Sequence, residues 1–180
     1  MDGETLRLAE RVSLTPAPSA RHPDAELAGF YQEHRLSLVR LAVLLVGDRE
    51  TGEDVVQDVF ARLHGSRRPG VTTLPYVRTC VLNGSRSVLR RRAVALRRAE
   101  RSTDLADSAE TAALLGESRR EVLLALTRLP RRQRETLVLR YYLDLGDAEI
   151  AEVMRVRTST VRSTAVRALA RLHRELGENR

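Results

Sequence analysis

The sequence predicts an all-α protein of two small helical domains joined by a linker, and three observations carry that prediction. Apolar residues recur at the i, i+3, i+4, i+7 spacing of amphipathic helices through most of the chain. Hydrophobic residues are 42% of the 180, but aromatics are only 3% and tryptophan is absent, so the cores must be built from leucine, valine and alanine. Such cores suit small helical bundles better than a large sheet. Finally, the charge changes sign along the chain, from a basic block to an acidic stretch and back, which marks a linker between two modules.

Residues 1–24 end in TPAPSARHP, whose prolines and small polar residues read as a loose arm. The first domain is placed at 25–98. Its first helix runs from about Asp24 to Val46, with Leu27, Phe30, Tyr31, Leu38, Leu41 and Leu45 at helical intervals, and Gly47-Asp48 stops it. The second helix, about Thr51 to Leu63, carries the stripe Val56, Val59, Phe60 and Leu63. Asp54, Gln57, Asp58 and Ala61 occupy its other side, as either a solvated acidic face or a protein-docking face. GSRRPGVTTLP at 65–75 is a loop by its glycine and proline content.

A third long helix spans about Tyr76 to Arg98, packed through Val77, Cys80, Val81, Gly84 and Val88. Thr79, Asn83, Arg86 and Arg90 lie opposite, and nine arginines without one acidic residue fall between His64 and Ala99. A merely solvated helix normally carries compensating i, i+4 pairs, so this basic surface reads as one for nucleic acid. Cys80, on the packing stripe, is expected to be a core residue rather than a redox sensor.

Residues 99–118 form the linker; Asp104, Asp107, Glu110 and Glu117 fall there, and no basic residue lies between Ser102 and Ser118. The second domain, 119–180, opens with the stripe Val122, Leu123, Leu126 and Leu129. Pro130 stands where a helix begins, a position that tolerates a missing N–H. Leu137, Val138, Tyr141 and Tyr142 continue the pattern to about Leu143. Two amphipathic helices then follow, DAEIAEVM and TSTVRSTAVRALARLHRE, separated by RVR. That is a helix-turn-helix pattern, whose second helix enters the DNA major groove. Val161, Ala165, Ala168, Leu169, Leu172 and Leu176 fall on one side, and Ser159, Ser163, Val166, Arg167 and Arg174 fall opposite with Arg162 on the flank.

All 31 basic residues are arginine and the formal net charge is +7, a balance suited to a polyanionic partner. A single cysteine excludes an intrachain disulfide. The longest apolar run, Leu41 to Val46, is far short of the roughly 20 residues that span a bilayer. No apolar signal-peptide core is present, so a cytoplasmic protein without membrane insertion is expected. The four histidines (His22, His34, His64, His173) are scattered, and no nucleophile–base pair converges, so neither metal, cofactor nor enzymatic activity is predicted.

Four segments together resemble the extracytoplasmic-function class of bacterial RNA polymerase sigma factors. GEDVVQDVF at 52–60 is similar to that family's region 2.2 helix, and PYVRTCVLNGSRSVLRRR at 75–92 to its region 2.3/2.4 helix. LTRLPRRQRETLVLRYYLDLGDAEIAEVM at 126–154 resembles the first part of region 4, and TSTVRSTAVRALARL at 158–172 its recognition helix. The resemblance implies a subunit that binds core polymerase and directs initiation through the −10 and −35 elements. Asp54, Gln57 and Asp58 would dock on the β′ clamp helices, with the β subunit a further contact. Arg67, Arg68, Tyr76, Thr79, Asn83, Arg86 and Arg90 would engage the −10 element, including an unstacked base of the non-template strand. Thr158, Ser159, Arg162, Ser163, Val166 and Arg167 would read the −35 duplex, where an arginine bonding guanine O6 and N7 discriminates by about 1–3 kcal/mol. An anti-sigma factor is a further partner that the family brings with it.

The chain departs from the family at three places. Tyr76 stands for a tryptophan, Arg155 for the glycine of the turn, and Thr158-Ser159 for a glycine before the Thr-Val pair. If residue 155 needs positive φ, arginine there costs about 1 kcal/mol. Thr158 is expected to cap its helix. The competing reading is a dimeric helix-turn-helix regulator, which would leave the acidic face at 54–58 and the basic helix at 76–98 without a role. For the free protein, one further hypothesis is a compact arrangement that buries both DNA faces.

Overall fold

A computed structural model describes residues 23–66, 73–99 and 117–177. Among these residues it contains seven α-helices, one π-helical segment and no strand. The first half is α1 (Pro23–Val46), α2 (Arg49–Ser66) and α3 (Leu74–Ala99). The second is α4 (Glu117–Arg128), α5 (Arg131–Leu137) running into a π-helical turn (Val138–Tyr142), α6 (Asp147–Met154) and α7 (Thr158–Gly177).

The stripes expected from the sequence become the cores in part: Val122 and Tyr141 are exposed, and Leu27, Phe30, Tyr31, Leu63, Cys80, Gly84 and Val88 are only half-buried. Leu38, Leu41 and Leu45 of α1 are buried with Val55, Val56, Val59 and Phe60 of α2 and Val77, Val81 and Leu82 of α3. The three helices pack mutually. Two glycines make the junction of α1 and α2 possible. Gly47 has φ +100, a conformation that L side chains rarely adopt, and a Cβ there would stand 2.6 Å from Thr127 Cγ2. At Gly52 a Cβ would stand 2.7 Å from Val43 Cγ2, so only glycine lets α2 lie this close to α1.

Asp48 starts α2. Its Oδ1 accepts the Thr51 N–H at 2.8 Å, satisfying one of the orphan donors of the first turn. Its other oxygen accepts from Arg92 of α3 at 2.9 Å, and Arg92 also donates to the Thr51 hydroxyl. Burial pushes the Asp48 carboxyl up, but the bonds from Thr51 and the Arg92 cation outweigh it and hold the group below its ordinary value.

In the second half, α4, α5 and α6 surround α7, whose Val161, Ala165 and Ala168 are buried. The expected stripe is trimmed: Leu169 is exposed, and Leu172 and Leu176 are half-buried. Pro130 occupies the N-cap of α5, and its carbonyl accepts the Arg134 N–H at 3.1 Å. The π turn was not expected from periodicity. Its Leu143 N–H reaches the Val138 carbonyl at 3.2 Å, and the turn carries Tyr142 toward α1. The Tyr142 hydroxyl donates to the Ser37 carbonyl at 2.8 Å. Burial raises the Tyr142 phenol above its usual range against the pull of Arg40 and Arg78, so it remains a neutral donor.

α1 is the element shared by both halves. It touches α4, α5 and the π turn, and Val138, Leu139, Ile150, Ala151 and Val161 belong to the same apolar cluster as the α1–α3 core. No described helix is long and apolar enough to cross a membrane.

Candidate nucleic-acid interface

The helix-turn-helix is α6, the turn Arg155–Arg157, and α7. Glu149 accepts the Gly146 N–H at 2.8 Å and so fixes the start of α6. Arg155 ends α6 in the left-handed region, φ 53 and ψ 50, with its N–H on the Ala151 and Glu152 carbonyls. The positive φ that glycine would accept freely is therefore imposed on an arginine. Thr158 is the first residue of α7 rather than its cap: the Arg157 carbonyl accepts the Thr160 N–H at 2.9 Å, which puts the cap one residue earlier.

Burying Val161, Ala165 and Ala168 turns Ser159, Arg162, Ser163, Val166 and Arg167 outward, with Thr158 half-buried at the rim. Val166 is 68% exposed, an apolar side chain held in solvent on a face otherwise polar. Both arginines are anchored through Nε, but to different elements. Arg167 Nε donates to the Ser163 carbonyl at 3.1 Å, and Arg162 Nε donates to Asp147 Oδ2 at 3.0 Å. Asp147 also accepts from Arg140.

On the first half, α2 and α3 enclose a groove of about 420 Å³. Val55, Val59, Leu63 and Val88 form its apolar lining; Asp58, Arg62, Tyr76, Asn83, Ser87 and Arg91 give it polar groups. An apolar cleft with convergent polar groups is the usual form of a small-ligand site. Cys80 packs against the core as expected, but it is only half-buried and also lines this groove.

The residues expected together on α3 are divided by the fold. Tyr76 and Asn83 line the groove. Thr79 is exposed and donates to its own helix at Pro75, and Arg90 is exposed and donates to Ser87. Arg86 turns toward the second half, where it donates to Glu135 and, at 3.5 Å, to the Val153 carbonyl. Its Nη1 lies 3.2 Å from Asn83 Oδ1. Arg67 and Arg68 lie outside the described residues. The sequence reading missed Arg62, Ser87 and Arg91. A signal existed: Cys80, Asn83, Ser87 and Arg91 follow i, i+3, i+7, i+11 on one face of α3.

On α2, Asp54, Gln57 and Asp58 are exposed as expected. Asp58 pairs loosely with Arg62 at 3.7 Å, while Asp54 and Gln57 have no ionic or hydrogen-bonded side-chain partner among the described residues. No group of acids, histidines and cysteine fit to hold a metal occurs among the described residues. The two halves do pack together, yet the outward face of α7 is left exposed rather than buried.

Comparison with known proteins fits this geometry. Residues 119–172 match the family model described as Sigma-70, region 4. Among solved structures, the sigma factor RpoE of Bartonella quintana, crystallised with the anti-sigma factor NepR, is 23% identical with a TM-score of 0.63. That match covers 84% of this chain and 99% of the other. A chain of the RsbN–BldN complex is 21% identical over 85% of this chain and 98% of its own, with a TM-score of 0.33. No curated protein matches by sequence.

Proposed function

We infer that this chain, with a sigma-70 region 4 at residues 119–172 and the fold of a sigma factor over most of its length, is a sigma factor of the extracytoplasmic-function class. It binds core RNA polymerase and directs promoter-specific initiation, without a reaction of its own. The observation that supports this most is that one chain carries two separate surfaces suited to nucleic acid. One is the outward face of α7, and the other is the groove between α2 and α3 that gathers Tyr76, Asn83, Arg62 and Arg91.

In this reading Ser159, Arg162, Ser163, Val166 and Arg167 meet the −35 duplex in the major groove, with Thr158 at the edge. The groove takes an unstacked base of the −10 strand: Tyr76 offers a ring face, Asn83 an amide for a base edge, and Arg62 and Arg91 offer charge to phosphate. Thr79, Arg90, Arg67 and Arg68 continue the basic surface. Arg86 reaches DNA only after the two halves separate, since it is otherwise committed to Glu135. The exposed Asp54, Gln57 and Asp58 form the docking face for the polymerase β′ clamp helices, with β beyond. An anti-sigma factor is a fitting further partner, as NepR is for RpoE.

The test is reconstitution with core RNA polymerase on a promoter library. A sigma factor gives start sites that depend on both −10 and −35 sequences. A stand-alone regulator binds duplex DNA tightly by itself and gives no initiation with core alone.

A further inference from the structure

Arg162 has the most exposed side chain among the ionic contacts around the helix-turn-helix, and it is held by another helix. Its side chain is 72% exposed, yet its Nε donates to Asp147 Oδ2 at 3.0 Å across the α6–α7 junction. Asp147 is 26% exposed and is itself gripped by Arg140 from the π turn. The chain Arg140–Asp147–Arg162 thus links three elements and ends on the outward face of α7.

A carboxylate beside a surface for polyanions costs affinity, because it repels the phosphates that the arginines attract. It is tolerable where it does something else. Bonding Nε fixes the plane of the guanidinium and leaves the two terminal nitrogens to meet a ligand. A planar fork in one orientation favours bidentate bonding to one base pair, whereas a swinging one settles on the nearest phosphate. Among the described residues Arg167 is held by its own helix, through the Ser163 carbonyl, whereas Arg162 is held by a residue of α6.

We propose that Asp147 is a positioning residue that sets −35 specificity by orienting Arg162, with Arg140 holding Asp147 in place. The proposal rests on the sigma-factor reading for its biological consequence. Asp147 itself touches no DNA in this scheme. It exchanges some non-specific affinity for discrimination.

Two measurements test it. In the full-length free protein, ¹H–¹⁵N spectra report the Arg162 Nε–H directly. A resolved, slowly exchanging signal in the parent chain, lost in Asp147→Ala and exchanging faster in Asp147→Asn, is expected. The asparagine variant keeps size and an acceptor, and guards against an alanine variant that fails to fold. In holoenzyme, initiation is measured on promoters carrying single −35 substitutions. Asp147→Ala should lower discrimination about five- to tenfold at the base pairs where Arg162→Ala does, and leave −10 dependence unchanged. On a scrambled −35 sequence its initiation should hold or rise. The double variant should discriminate no worse than Arg162→Ala alone.

A uniform loss on every −35 sequence, a loss that adds to Arg162→Ala, or an Arg162 signal indifferent to Asp147 would overturn the proposal. A parent protein without −35 dependence would instead sink the sigma-factor reading, while the spectra still decide whether Asp147 orients Arg162.

Discussion

Arg134 of α5 donates to the Leu45 carbonyl in the last turn of α1 at 2.7 Å and to the Thr127 carbonyl in the last turn of α4 at 3.1 Å. One buried cation thus closes two helix C-termini, one from each half of the chain, where the partial negative charge of the helix dipoles gathers. Burial pushes its guanidinium down from the usual arginine range, and its hydrogen-bond partners among the described residues are carbonyls rather than carboxylates. Replacing it by methionine leaves both carbonyls without their donor. Arg134→Met should cost about 3 kcal/mol of stability, from two charge-assisted bonds and two stranded acceptors. Urea unfolding would show a lower midpoint, and an unchanged midpoint would mean that the apolar contacts of α1 suffice.

A second interhalf contact is testable by a cycle. Glu135 is 4% exposed at its side chain and accepts from Arg86, with Arg131 at 4.0 Å. The surroundings are polar and imperfectly matched: Ser85 Oγ, Arg86 Nε and Arg134 Nε are buried without a partner among the described residues. Arg86→Leu should cost about 3 kcal/mol because it strands a buried carboxylate, and Arg86→Leu with Glu135→Leu should recover part of that loss. Additive losses would show that the pair is not energetically coupled.

Arg155 holds φ 53 at the end of α6. Glycine there removes the steric cost of the left-handed region, so Arg155→Gly should raise stability by about 1 kcal/mol. Thermal or urea unfolding checks this, and the same substitution should leave the α7 face unaltered in its −35 preference.

Asp48 predicts a pH dependence. Its carboxyl is held below the ordinary value of 3.8 in the folded chain, so the unfolded state takes up the proton first as pH falls. Its contribution is complete above the unfolded value and is lost as pH drops through the folded one. Asp48→Asn should therefore be less stable than the parent at neutral pH, with the difference shrinking in acid. A difference independent of pH would indicate that the amide replaces the carboxylate fully or that the loss is only of packing.

Much of the fold was legible because helices are local. The apolar periods of α1 to α3 mark most of the residues that the structure buries, Gly47-Asp48 and Pro130 mark boundaries, and the split of α7 follows from spacing except at Leu169. Expected stripes went astray where two faces of one helix are both apolar. On α3, Val77 and Val81 are fully buried, but Cys80 and Val88 are half-buried at the edge of the core and line the groove, and periodicity cannot say which neighbour lies on which side. The burial of Arg134 left a trace, since it sits three and four residues before Leu137 and Val138 on the packed face of α5, yet charge made it read as surface.

The sequence by itself determined that the chain is helical, which face of α7 turns outward, and that acidic, basic and helix-turn-helix surfaces share one polypeptide. These follow from propensity and period, which act over a few residues. Tertiary structure alone decided that Arg86 answers Glu135 rather than standing beside Thr79 and Arg90, that Tyr76 and Asn83 share a groove, and that Asp147 holds Arg162. Arg86 and Glu135 are 49 positions apart and Asp147 and Arg162 are 15 apart across a turn, while Tyr76 and Asn83, on one helix, needed α2 packed beside them to line a groove. A long arginine can choose among several partners, and only the packing of helices brings one of them within hydrogen-bond reach.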